Sequence, residues 1–535
     1  MTFGPPLTLP ALLRERAGRY GSRPFLVCDD DRLTYADADR WSGLLARGLL
    51  AIGAGKGTHV GVLQPNGGDF VVGWLAAARI GAVTVPVSTF STSVELRRLL
   101  RDADVEVLLS ARSYRSHDYL ATVAAAVPEL DLATGGPTLA ASVPALRHVF
   151  VHTDDGIPPP RTAAALLASG DAVSRSVLRA AENAVDPGDR LVIVHTSGST
   201  SAPKGVIHTH GALLQHLANL NTIRRYTDDE VLFSNSPFFW IGGFAYALLG
   251  TLLAGGTLVC SNASDAAGVL DVLERERPTM VNGYAQSVAH LAQDPTFARR
   301  NLTSIRRGNL YPIMPAEVRP ADPQLRHQML GMTETGSVCL VDPDESDQPE
   351  RRRGSFGRPA PGFGARIVDP EEGTDCGPGA VGELWLRGPF LMEGYYGRER
   401  HEVFDADGWF RTGDLFLVDE EGFYYFRGRG GDVIKTSGAN VSPVEVEQVI
   451  REVAGLTAHV VGLEDPDRGQ IVAAAIRVPP GEGIDAEDLR RRLADHLSTY
   501  KIPHRIVLFA EGEVPIMSSG KLDVPALKER LRAGG

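Results

Sequence analysis

Cysteine is scarce in this chain of 535 residues, which contains four. They lie far apart, at Cys28, Cys260, Cys339 and Cys376, and form no CxxC pair. Zinc sites need cysteine and histidine ligands at short spacings, and disulfide frameworks need a high density of cysteine. The sequence therefore predicts neither kind of site, and it favours a reducing cytosol.

Positive charge is also in deficit, because 54 Lys and Arg residues face 66 Asp and Glu residues and give a net charge of -12. This balance excludes strong nonspecific nucleic-acid binding, which needs a basic surface to displace counterions from phosphates. The first residues, MTFGPPLTLPALLRERAG, lack the basic segment and apolar run of a secretory signal, so a cytoplasmic protein is predicted. Hydrophobic residues at 43% and charged residues at 22% exclude a disordered, collagen-like or coiled-coil chain.

Charge is absent altogether from residues 231–264, a run long enough to span a bilayer. The run is interrupted by Pro237, Gly242, Gly243 and Gly250, among other glycines. Proline and glycine at these positions break a long helix into shorter pieces. We predict a turn, a helix and a strand of the buried core here, and no membrane span.

Short β-branched runs alternate with Ala- and Leu-rich segments in the first part of the chain. HVGVLQPN is predicted to be a strand, DFVVGWLAAARIG a helix and AVTVPVS the next strand, which indicates a βαβ unit in an α/β fold. Residues 123–188, rich in Ala, Pro and Gly, are predicted to be a surface excursion with some helix. Strands and turns dominate from Gly354 onward and indicate a smaller β subdomain. A last compact unit begins at Asp432, with a helix starting near Ser442 and Pro443.

A loop dense in hydroxyl side chains and glycine follows the predicted strand LVIVH. Its sequence, TSGSTSAPKG at residues 196–205, suits a loop that wraps a polyphosphate with backbone N–H groups and hydroxyl donors. It is not a Walker loop, because Lys204 is followed by Gly205 where that motif requires Ser or Thr. A flexible Ser/Gly linker is the alternative that the loop alone leaves open.

Further motifs follow this loop in a fixed order. They are GMTETG at 331–336, GELWLRGP at 382–389, GWFRTGD at 408–414, GRGGDVIKTSGANVSPVEVE at 428–447 and PIMSSGK at 515–521. The ordered set closely resembles the adenylate-forming superfamily of acyl-CoA synthetases, nonribosomal adenylation domains and beetle luciferases, and the resemblance covers nearly the whole chain. It implies a large N-terminal domain of packed αβ-layered subdomains with a β subdomain, and a small mobile α+β C-terminal domain that carries a catalytic lysine. The implied bounds are 1–428 for the N-terminal domain, 429–431 for the hinge and 432–535 for the C-terminal domain.

In that family a carboxylate attacks the α-phosphorus of ATP, so two anions must meet while pyrophosphate leaves. Catalysis of such a step is largely positioning and charge neutralisation. The resemblance implies that Glu334 is a ligand of Mg²⁺, which prefers oxygen ligands, that Thr333 contacts the α-phosphate and that Lys521 is the catalytic cation. Asp414 would accept hydrogen bonds from the ribose hydroxyls, and Arg429 would make a second ribose or phosphate contact. The β- and γ-phosphates would be held by Thr196, Ser197, Gly198, Ser199, Thr200 and Lys204.

Adenine contacts are implied in two places. The segment with Asn309, Leu310 and Tyr311 is a diverged form of the family's GGAPL adenine segment. Leu330 stands where the family commonly has a tyrosine that stacks on the base. Apolar packing is therefore expected to replace aromatic stacking at Leu330.

The second half-reaction, attack of the CoA thiol on the acyl-adenylate, is implied to use a different face of the site. The small domain would rotate about the hinge, withdraw Lys521 and present the strand and turn that contain Lys435 and Gly438. Gly438 would line the pantetheine tunnel, where a side chain would obstruct. The sequence departs from the family pattern at Ser201, which replaces a loop glycine, and at Gly431, where the hinge usually has Asp or Lys.

The acid-binding pocket is implied to lie around the segment SNSPFFWIGGF. Trp240 occupies the position of the family's gate beside the acyl carboxylate. The remaining implied wall residues are Phe238, Phe239, Gly242, Gly243, Asn282, Gly283 and Tyr284. Ordinary core packing is the alternative for the two phenylalanines. No acidic residue occurs between Glu230 and Asp265, so the ammonium of an amino acid would stay unpaired, and a hydrophobic acid is predicted instead.

The sequence as a whole predicts an AMP-forming acyl-CoA synthetase that uses ATP, Mg²⁺ and CoA to convert a hydrophobic carboxylic acid to its CoA thioester. One alternative is a ligase that loads an acyl carrier protein, and another is a nucleotide-binding relative without turnover. The oligomeric state is not fixed by the sequence, and a homodimer is one arrangement that it allows.

Overall fold

A computed structural model describes residues 8–132, 134–152, 159–196, 203–429, 433–478, 484–510, 513–515 and 522–533. The chain divides into two compact units. The large unit comprises Met1–Thr89, Leu99–His195 and Gly205–Gly428. The small unit comprises Phe90–Arg98, Thr196–Lys204 and Arg429–Gly535.

The strands, in chain order, are β1 (Pro24–Cys28), β2 (Asp31–Thr34), β3 (His59–Leu63), β4 (Val83–Pro86), β5 (Val107–Ala111), β6 (Ser113–Tyr114), β7 (His117–Asp118), β8 (His148–His152), β9 (Arg190–Thr196), β10 (Lys204–Thr209), β11 (Val231–Phe233), β12 (Thr257–Cys260), β13 (Met280–Val281), β14 (Arg307–Gly308), β15 (Leu330–Gly331), β16 (Val338–Val341), β17 (Arg358–Pro359), β18 (Gly364–Val368), β19 (Gly382–Arg387), β20 (Gly394–Tyr395), β21 (Phe410–Val418), β22 (Tyr424–Arg429), β23 (Ile434–Thr436), β24 (Ala439–Val441), β25 (Thr457–Asp465), β26 (Gly469–Arg477) and β27 (Arg505–Phe509). The α-helices are α1 (Leu9–Tyr20), α2 (Tyr35–Ala51), α3 (Gly68–Arg79), α4 (Ser93–Asp102), α5 (Tyr119–Ala126), α6 (Ala163–Ser169), α7 (Arg175–Asn183), α8 (His210–Ile223), α9 (Gly250–Ala254), α10 (Ala266–Glu276), α11 (Ala289–Ala292), α12 (Pro443–Ala454), α13 (Ala486–Ala494) and α14 (Val524–Ala533).

Two mostly parallel sheets form the framework of the large unit. Their strand orders are β20-β10-β9-β4-β3-β5-β8 and β14-β13-β11-β12-β1-β2. The predicted βαβ unit is confirmed as β3, α3 and β4, and the two strands pair in parallel. Helix α3 is apolar nearly all round because it is covered by the core, where Trp74 packs edge-on against Phe244 with ring centroids 5.1 Å apart. The predicted α/β fold is therefore confirmed.

The uncharged run at 231–264 divides into short elements, as predicted. It forms β11, a π-helix at Gly242–Leu249, α9 and β12. Gly255, with φ 82°, ends α9 in the left-handed conformation that favours glycine. In the part of the chain that the structure describes, no helix combines the length and apolarity needed to cross a membrane.

The segment at 123–188 contains a strand that its sequence does not predict. Strand β8 pairs in parallel with β5 at the edge of the seven-stranded sheet, and its Val149, Phe150 and Val151 are buried. The interpretation of the whole segment as a surface excursion is therefore wrong at β8. Its apolar run, VFV, is only three residues long, too short to stand out among the surrounding Ala and Pro residues.

The predicted β subdomain is confirmed by an antiparallel sheet in the order β18-β19-β21-β22. The small unit contains a sheet in the order β24-β23-β26-β25, with β27 pairing in parallel with β26. Helix α12 begins where it was predicted to begin, because Ser442 accepts a hydrogen bond from the backbone N–H of Glu445 at 3.3 Å and caps the helix. Of the predicted hinge at 429–431, the last two residues lie outside the described residues.

Candidate active site

Three neighbouring parallel strands, β11, β13 and β14, end at one edge of the six-stranded sheet. The segments that follow them, at 234–240, 282–284 and 309–311, contain most of the predicted acid and adenine contacts. Ligands of open α/β sheets bind at this carboxyl edge, because the loops that leave the strands meet there. The structure thus brings together residues that are well separated along the chain.

Two asparagine side chains hold these loops in place. Asn309 Nδ2 donates to the carbonyl oxygen of Gly283 at 2.9 Å, and the Gly283 N–H donates back to Asn309 Oδ1 at 3.0 Å. Asn66 Nδ2 donates to the carbonyl oxygen of Ser236 at 3.0 Å, while its Oδ1 accepts from the Phe238 N–H at 2.8 Å. Each asparagine therefore replaces the backbone pairing that these segments lack beyond the ends of their strands.

The predicted acid-binding aromatics occupy different environments. Trp240 is half-buried, whereas Phe238 and Phe239 are buried. Phe238 packs on Phe70 with ring centroids 5.4 Å apart, which places it in the hydrophobic core. Of the three aromatics, Trp240 is the one whose side chain remains partly accessible to a ligand.

The two glycines that follow are also unlike each other. Gly242 is exposed, with open space where a side chain would stand. A Cβ added to Gly243 would lie 2.1 Å from the carbonyl oxygen of Pro237, so no other residue fits without moving the backbone. Gly243 therefore permits the tight approach of the π-helix to the turn before it.

The predicted adenine contacts differ in burial. Leu310 is buried in a second hydrophobic cluster, and Tyr311 is half-buried, with its pKa raised by burial. Leu330 is half-buried at the start of β15. Asn282, which was predicted as a wall residue of the acid pocket, is buried, and its Oδ1 has no hydrogen-bond partner among the described residues. An unpaired buried oxygen is costly, so Asn282 suits a ligand that brings an N–H or O–H donor.

The TET sequence of the second motif forms a 3₁₀ turn, Thr333–Thr335, between β15 and β16. Thr335 is buried and its hydroxyl donates to the carbonyl oxygen of Ser337 at 2.6 Å. Gly336 ends the turn at φ 69°, and a Cβ there would lie 2.9 Å from Leu213 Cδ1. The turn is thus fixed by the contacts of Thr335 and Gly336, while Thr333 and Glu334 remain half-buried and partly accessible.

A buried histidine holds the same turn. His208 Nε2 lies 2.7 Å from the carbonyl oxygen of Thr333. Burial lowers the pKa of His208 to about 4, so the ring is neutral near neutral pH. A carbonyl oxygen only accepts, and therefore Nε2 carries the proton and donates it to Thr333.

The carboxylate of Glu334 is held by a tyrosine from another strand. The Tyr395 hydroxyl donates to Glu334 Oε1 at 2.9 Å, and the Met392 N–H donates to the Glu334 carbonyl oxygen at 2.8 Å. The other carboxylate oxygen, Oε2, has no hydrogen-bond partner among the described residues. A half-buried carboxylate with one oxygen engaged and one available fits the oxygen preference of Mg²⁺.

Asp414 lies at a bulge in the β19–β21 pair. The register shifts by two residues between Glu383 and Trp385, and Gly413, at φ 74°, lies within the bulge. The Asp414 N–H donates to Thr412 Oγ1 at 3.1 Å, and the Asp414 side chain is 7% exposed. Bulges of this kind turn a side chain out of the regular alternation of a strand, and Asp414 lies at such a point in the middle of β21.

Asp414 acts electrostatically on the strand that follows the TET turn. Burial, and to a smaller extent the charge of Asp414, raises the pKa of Cys339 in β16 to about 12. The structure therefore brings the predicted ribose ligand close to the hairpin that carries Thr333 and Glu334.

The predicted phosphate loop lies between β9, which ends at Thr196, and β10, which begins at Lys204. These two strands are neighbours in the seven-stranded sheet. Several predicted ligands of the phosphates and ribose lie outside the described residues, namely Ser197, Gly198, Ser199, Thr200 and Lys521, together with Ser201 and the side chain of Arg429. Their assigned roles stay predictions.

The predicted CoA-binding residues form a hairpin within the small unit. Strands β23 and β24 are joined by Ser437 and Gly438, whose φ values of 49° and 86° are both positive. Two consecutive positive φ values give the tight turn whose twist matches paired strands. Lys435 and Gly438 are both exposed.

Two family models match the chain. The model described as AMP-binding enzyme matches residues 13–396, and the model described as AMP-binding enzyme C-terminal domain matches residues 445–521. The chain belongs to the AMP-binding enzyme family. The resemblance to adenylate-forming enzymes is thereby confirmed, together with its large N-terminal and small C-terminal domains.

Relatives of known name cover almost the whole of this family member. A mitochondrial medium-chain acyl-CoA ligase of Mus musculus is 29% identical, over 98% of this chain and 87% of the relative. A feruloyl-CoA synthase of an Amycolatopsis species is 31% identical, over 92% of both chains. The solved structure of the amide bond synthetase McbA from Marinactinospora thermotolerans has a TM-score of 0.78 and 26% identity, over 98% of this chain and 99% of that chain.

Three residues of this AMP-binding enzyme were not identified from the sequence, namely Asn66, His208 and Tyr395. Their partners in the site lie far away along the chain, 125 residues for His208 and 61 for Tyr395. His208 lies in the HTH sequence at residues 208–210, and Tyr395 lies in a GYY sequence. Both motifs were visible, but nothing in them indicates which distant backbone or carboxylate they contact.

Proposed function

We propose that this member of the family is an AMP-forming acyl-CoA synthetase. A carboxylate oxygen of the acid attacks the α-phosphorus of ATP, the bond to the β-phosphate oxygen breaks, and pyrophosphate leaves. The CoA thiolate then attacks the acyl carbon of the acyl-adenylate, and AMP leaves with the bonding electrons. The observation that carries the proposal is the rigid TET turn, which directs Thr333 and Glu334 to the accessible side in a chain that matches both family models.

Magnesium fits the carboxylate that the turn presents. Among the described residues no group of three or more His, Cys, Asp and Glu side chains gathers as a metal site. Glu334 would therefore hold Mg²⁺ together with phosphate oxygens of the substrate, which is the usual way in which proteins bind this ion. Bound Mg²⁺ supplies charge neutralisation for the phosphates. Thr333, beside Glu334, would orient the α-phosphate, and Lys521 would offset the charge that develops between the acid and the phosphorus.

The acid is proposed to be hydrophobic. The elements that follow β11 contain no charged side chain between Glu230 and Asp265. A substrate ammonium would lose its hydration there without an ionic partner. The relatives are named for a medium-chain acid and for ferulic acid, so both aliphatic and aryl acids belong in the search. Trp240, half-buried next to the exposed Gly242, is the residue that we propose to contact the acid beside its carboxylate.

The acceptor is proposed to be CoA, with an acyl carrier protein as the alternative because both present a pantetheine thiol. The solved relative called an amide bond synthetase adds an amine to the acceptors that must be tested. All three acceptors attack the same acyl carbon, so the first half-reaction does not distinguish them.

The proposal is tested by measuring acid-dependent exchange of labelled pyrophosphate into ATP, with fatty, aryl and polycyclic acids supplied one at a time. The expected result is exchange with at least one acid, strictly dependent on Mg²⁺. Product analysis with CoA, a phosphopantetheinylated carrier protein and a simple amine then identifies the acceptor, and the CoA thioester is expected. If no acid supports exchange, the proposed function is wrong, and the alternative of a nucleotide-binding protein without turnover is favoured.

A further inference from the structure

Tyr395 connects the sheet of the large unit to the carboxylate that the proposed function assigns to Mg²⁺. It lies on β20, the two-residue edge strand that pairs antiparallel with β10, with Tyr395 opposite Val206. Tyr395 is 7% exposed, and its ring belongs to the main hydrophobic core. The ring is therefore held by the sheet and by packing, and its hydroxyl reaches Glu334 Oε1 at 2.9 Å.

The backbone of Glu334 is fixed independently of that hydroxyl. The Met392 N–H binds its carbonyl oxygen at 2.8 Å, and His208 holds the preceding carbonyl, that of Thr333, at 2.7 Å. What these contacts leave undetermined is the rotation of the Glu334 side chain. A half-buried carboxylate without a donor would sample several rotamers, and each would place its oxygens differently.

We propose that Tyr395 is a positioning residue that holds the carboxylate of Glu334 in the rotamer that receives Mg·ATP. By engaging Oε1, it leaves Oε2 as the oxygen available to the cation. The inference rests on the proposed function, because that function makes Glu334 the metal ligand. Hydrogen bonds to a charged acceptor are among the stronger ones in proteins, so the hydroxyl is able to select one rotamer.

The chain supplies a matched control in the next residue. Tyr396 also donates its hydroxyl to a carboxylate, Asp104 Oδ2, at 2.7 Å. Its ring packs edge-on against His59, with centroids 5.2 Å apart. Substitution by phenylalanine removes the same atom and the same kind of hydrogen bond at both positions. The partner of Tyr395 is Glu334, the proposed metal ligand. The partner of Tyr396 is Asp104, which lies neither in the TET turn nor in the loops at 234–240 and 282–284.

The experiment compares Tyr395→Phe with Tyr396→Phe by titrating ATP calorimetrically in the absence of any acid, once with Mg²⁺ and once with EDTA. Tyr395→Phe is expected to weaken Mg·ATP about 10-fold, the size usual for a hydrogen bond to a charged group, and to leave metal-free ATP within about 2-fold. Tyr396→Phe is expected to change neither. Equal effects of the two substitutions, or equal weakening of ATP with and without Mg²⁺, would overturn the proposal.

A double-mutant cycle with Glu334→Ala separates positioning from general packing. If Tyr395 acts through the carboxylate, Tyr395→Phe has no further effect on Mg·ATP binding once Glu334 is alanine. Additive losses would mean that the hydroxyl stabilises the region in another way. Thermal unfolding of each variant identifies any loss of folding, and the titrations are run below the lowest melting transition.

The outcomes also keep the two proposals apart. The proposed function fails if the wild-type enzyme exchanges no pyrophosphate with any acid, whatever the variants do. The role of Tyr395 fails if the wild-type enzyme turns over while the Tyr395→Phe and Tyr396→Phe enzymes need the same Mg²⁺ concentration for half-maximal exchange.

Discussion

At the scale of single residues, a glycine allows the bulge in which Asp414 lies. Gly413 adopts φ 74°, which a residue with a Cβ reaches at a cost, and this conformation accommodates the bulge opposite Leu384. The Gly413 N–H is bound by Glu383 Oε1 at 3.0 Å, and Thr412 Oγ1 donates to the carbonyl oxygen of Leu384 at 2.7 Å. The bulge is thus held on both sides, which fixes the backbone at Asp414.

This arrangement predicts how Asp414→Ala responds to the sugar of the nucleotide. If Asp414 binds the ribose hydroxyls, the wild-type enzyme should prefer ATP over 2′-deoxy-ATP by about 10-fold, because one charge-assisted hydrogen bond is lost with the deoxy sugar. In Asp414→Ala the preference should fall toward unity, since the acceptor is gone. The measurement is the kcat/KM of pyrophosphate exchange for each nucleotide. A preference that survives the substitution would assign the ribose contact to another residue.

The residues of the site differ in how far the sequence could identify them. Glu334 and Asp414 stand in motifs with fixed neighbours, and the structure places both near one hairpin. Tyr395 and His208 act through atoms 61 and 125 positions away, and such contacts depend on strand order rather than on local sequence. At Phe238 the local sequence is ambiguous, because a pocket wall and a core position both favour an apolar side chain. The structure packs Phe238 against Phe70.

At the scale of elements, a buried ionic cluster ties together three segments of the small unit. Lys501 Nζ lies 2.8 Å from Glu95 Oε1 and 2.8 Å from Glu445 Oε1, and Ser498 Oγ donates to Glu95 Oε2 at 2.6 Å. Burial lowers the pKa of Lys501, but its electrostatic interactions with Tyr500, Glu95 and Glu445 raise it overall, well above its ordinary value. Burial likewise raises the pKa of Glu95, yet the charge of Lys501 and the hydrogen bonds leave it lowered.

Removal of this cation is predicted to destabilise the small unit in a manner that depends on pH. Lys501→Met leaves two carboxylates buried without a counterion, which should cost about 3–5 kcal/mol near pH 7. The loss should shrink as the pH falls through about 4.5, the ordinary value for Glu, because the lowered pKa of Glu95 stabilises the wild-type unit above that pH and this stabilisation is lost in acid.

Urea unfolding at several pH values, followed by circular dichroism, measures this difference. The matched control is Lys528→Met in α14, at a half-buried lysine for which no ion pair is seen among the described residues. A loss that is independent of pH would show that Lys501 acts by packing alone.

The helices and strands show which parts of the fold can be predicted from the sequence. Strand β3, helix α3 and strand β4 were predicted because their apolar patterns are long and their boundaries carry glycine or proline. Strand β8 was not predicted, because its buried part is short and its pairing with β5 depends on tertiary packing. The start of α12 was legible because a serine cap and a following proline specify a helix end chemically.

At the scale of the whole molecule, the two half-reactions are predicted to depend on different parts of the predicted C-terminal domain, residues 432–535. Lys521→Ala should lower acid-dependent pyrophosphate exchange about 1,000-fold, because a cation that stabilises developing charge is lost. Thioester formation from supplied acyl-adenylate should remain within about 3-fold, since no charge at phosphorus needs offsetting in that step. Lys528→Ala is again the control and should change neither rate. An equal fall in the rates of both half-reactions would contradict the role assigned to Lys521.

The converse prediction concerns Gly438, at the exposed turn between β23 and β24. Gly438→Trp should slow thioester formation from supplied acyl-adenylate about 100-fold, because a ring in the path of pantetheine displaces the thiol from the acyl carbon. Pyrophosphate exchange needs no thiol and should be unchanged. A side chain at φ 86° is strained whatever its size, so Gly438→Ala carries the same backbone cost without the obstruction and serves as the control. If both variants slow the thiol step equally, strain in the hairpin is the cause. If Gly438→Trp leaves the step intact, pantetheine does not pass this turn, and the face that receives CoA must be sought elsewhere in the chain.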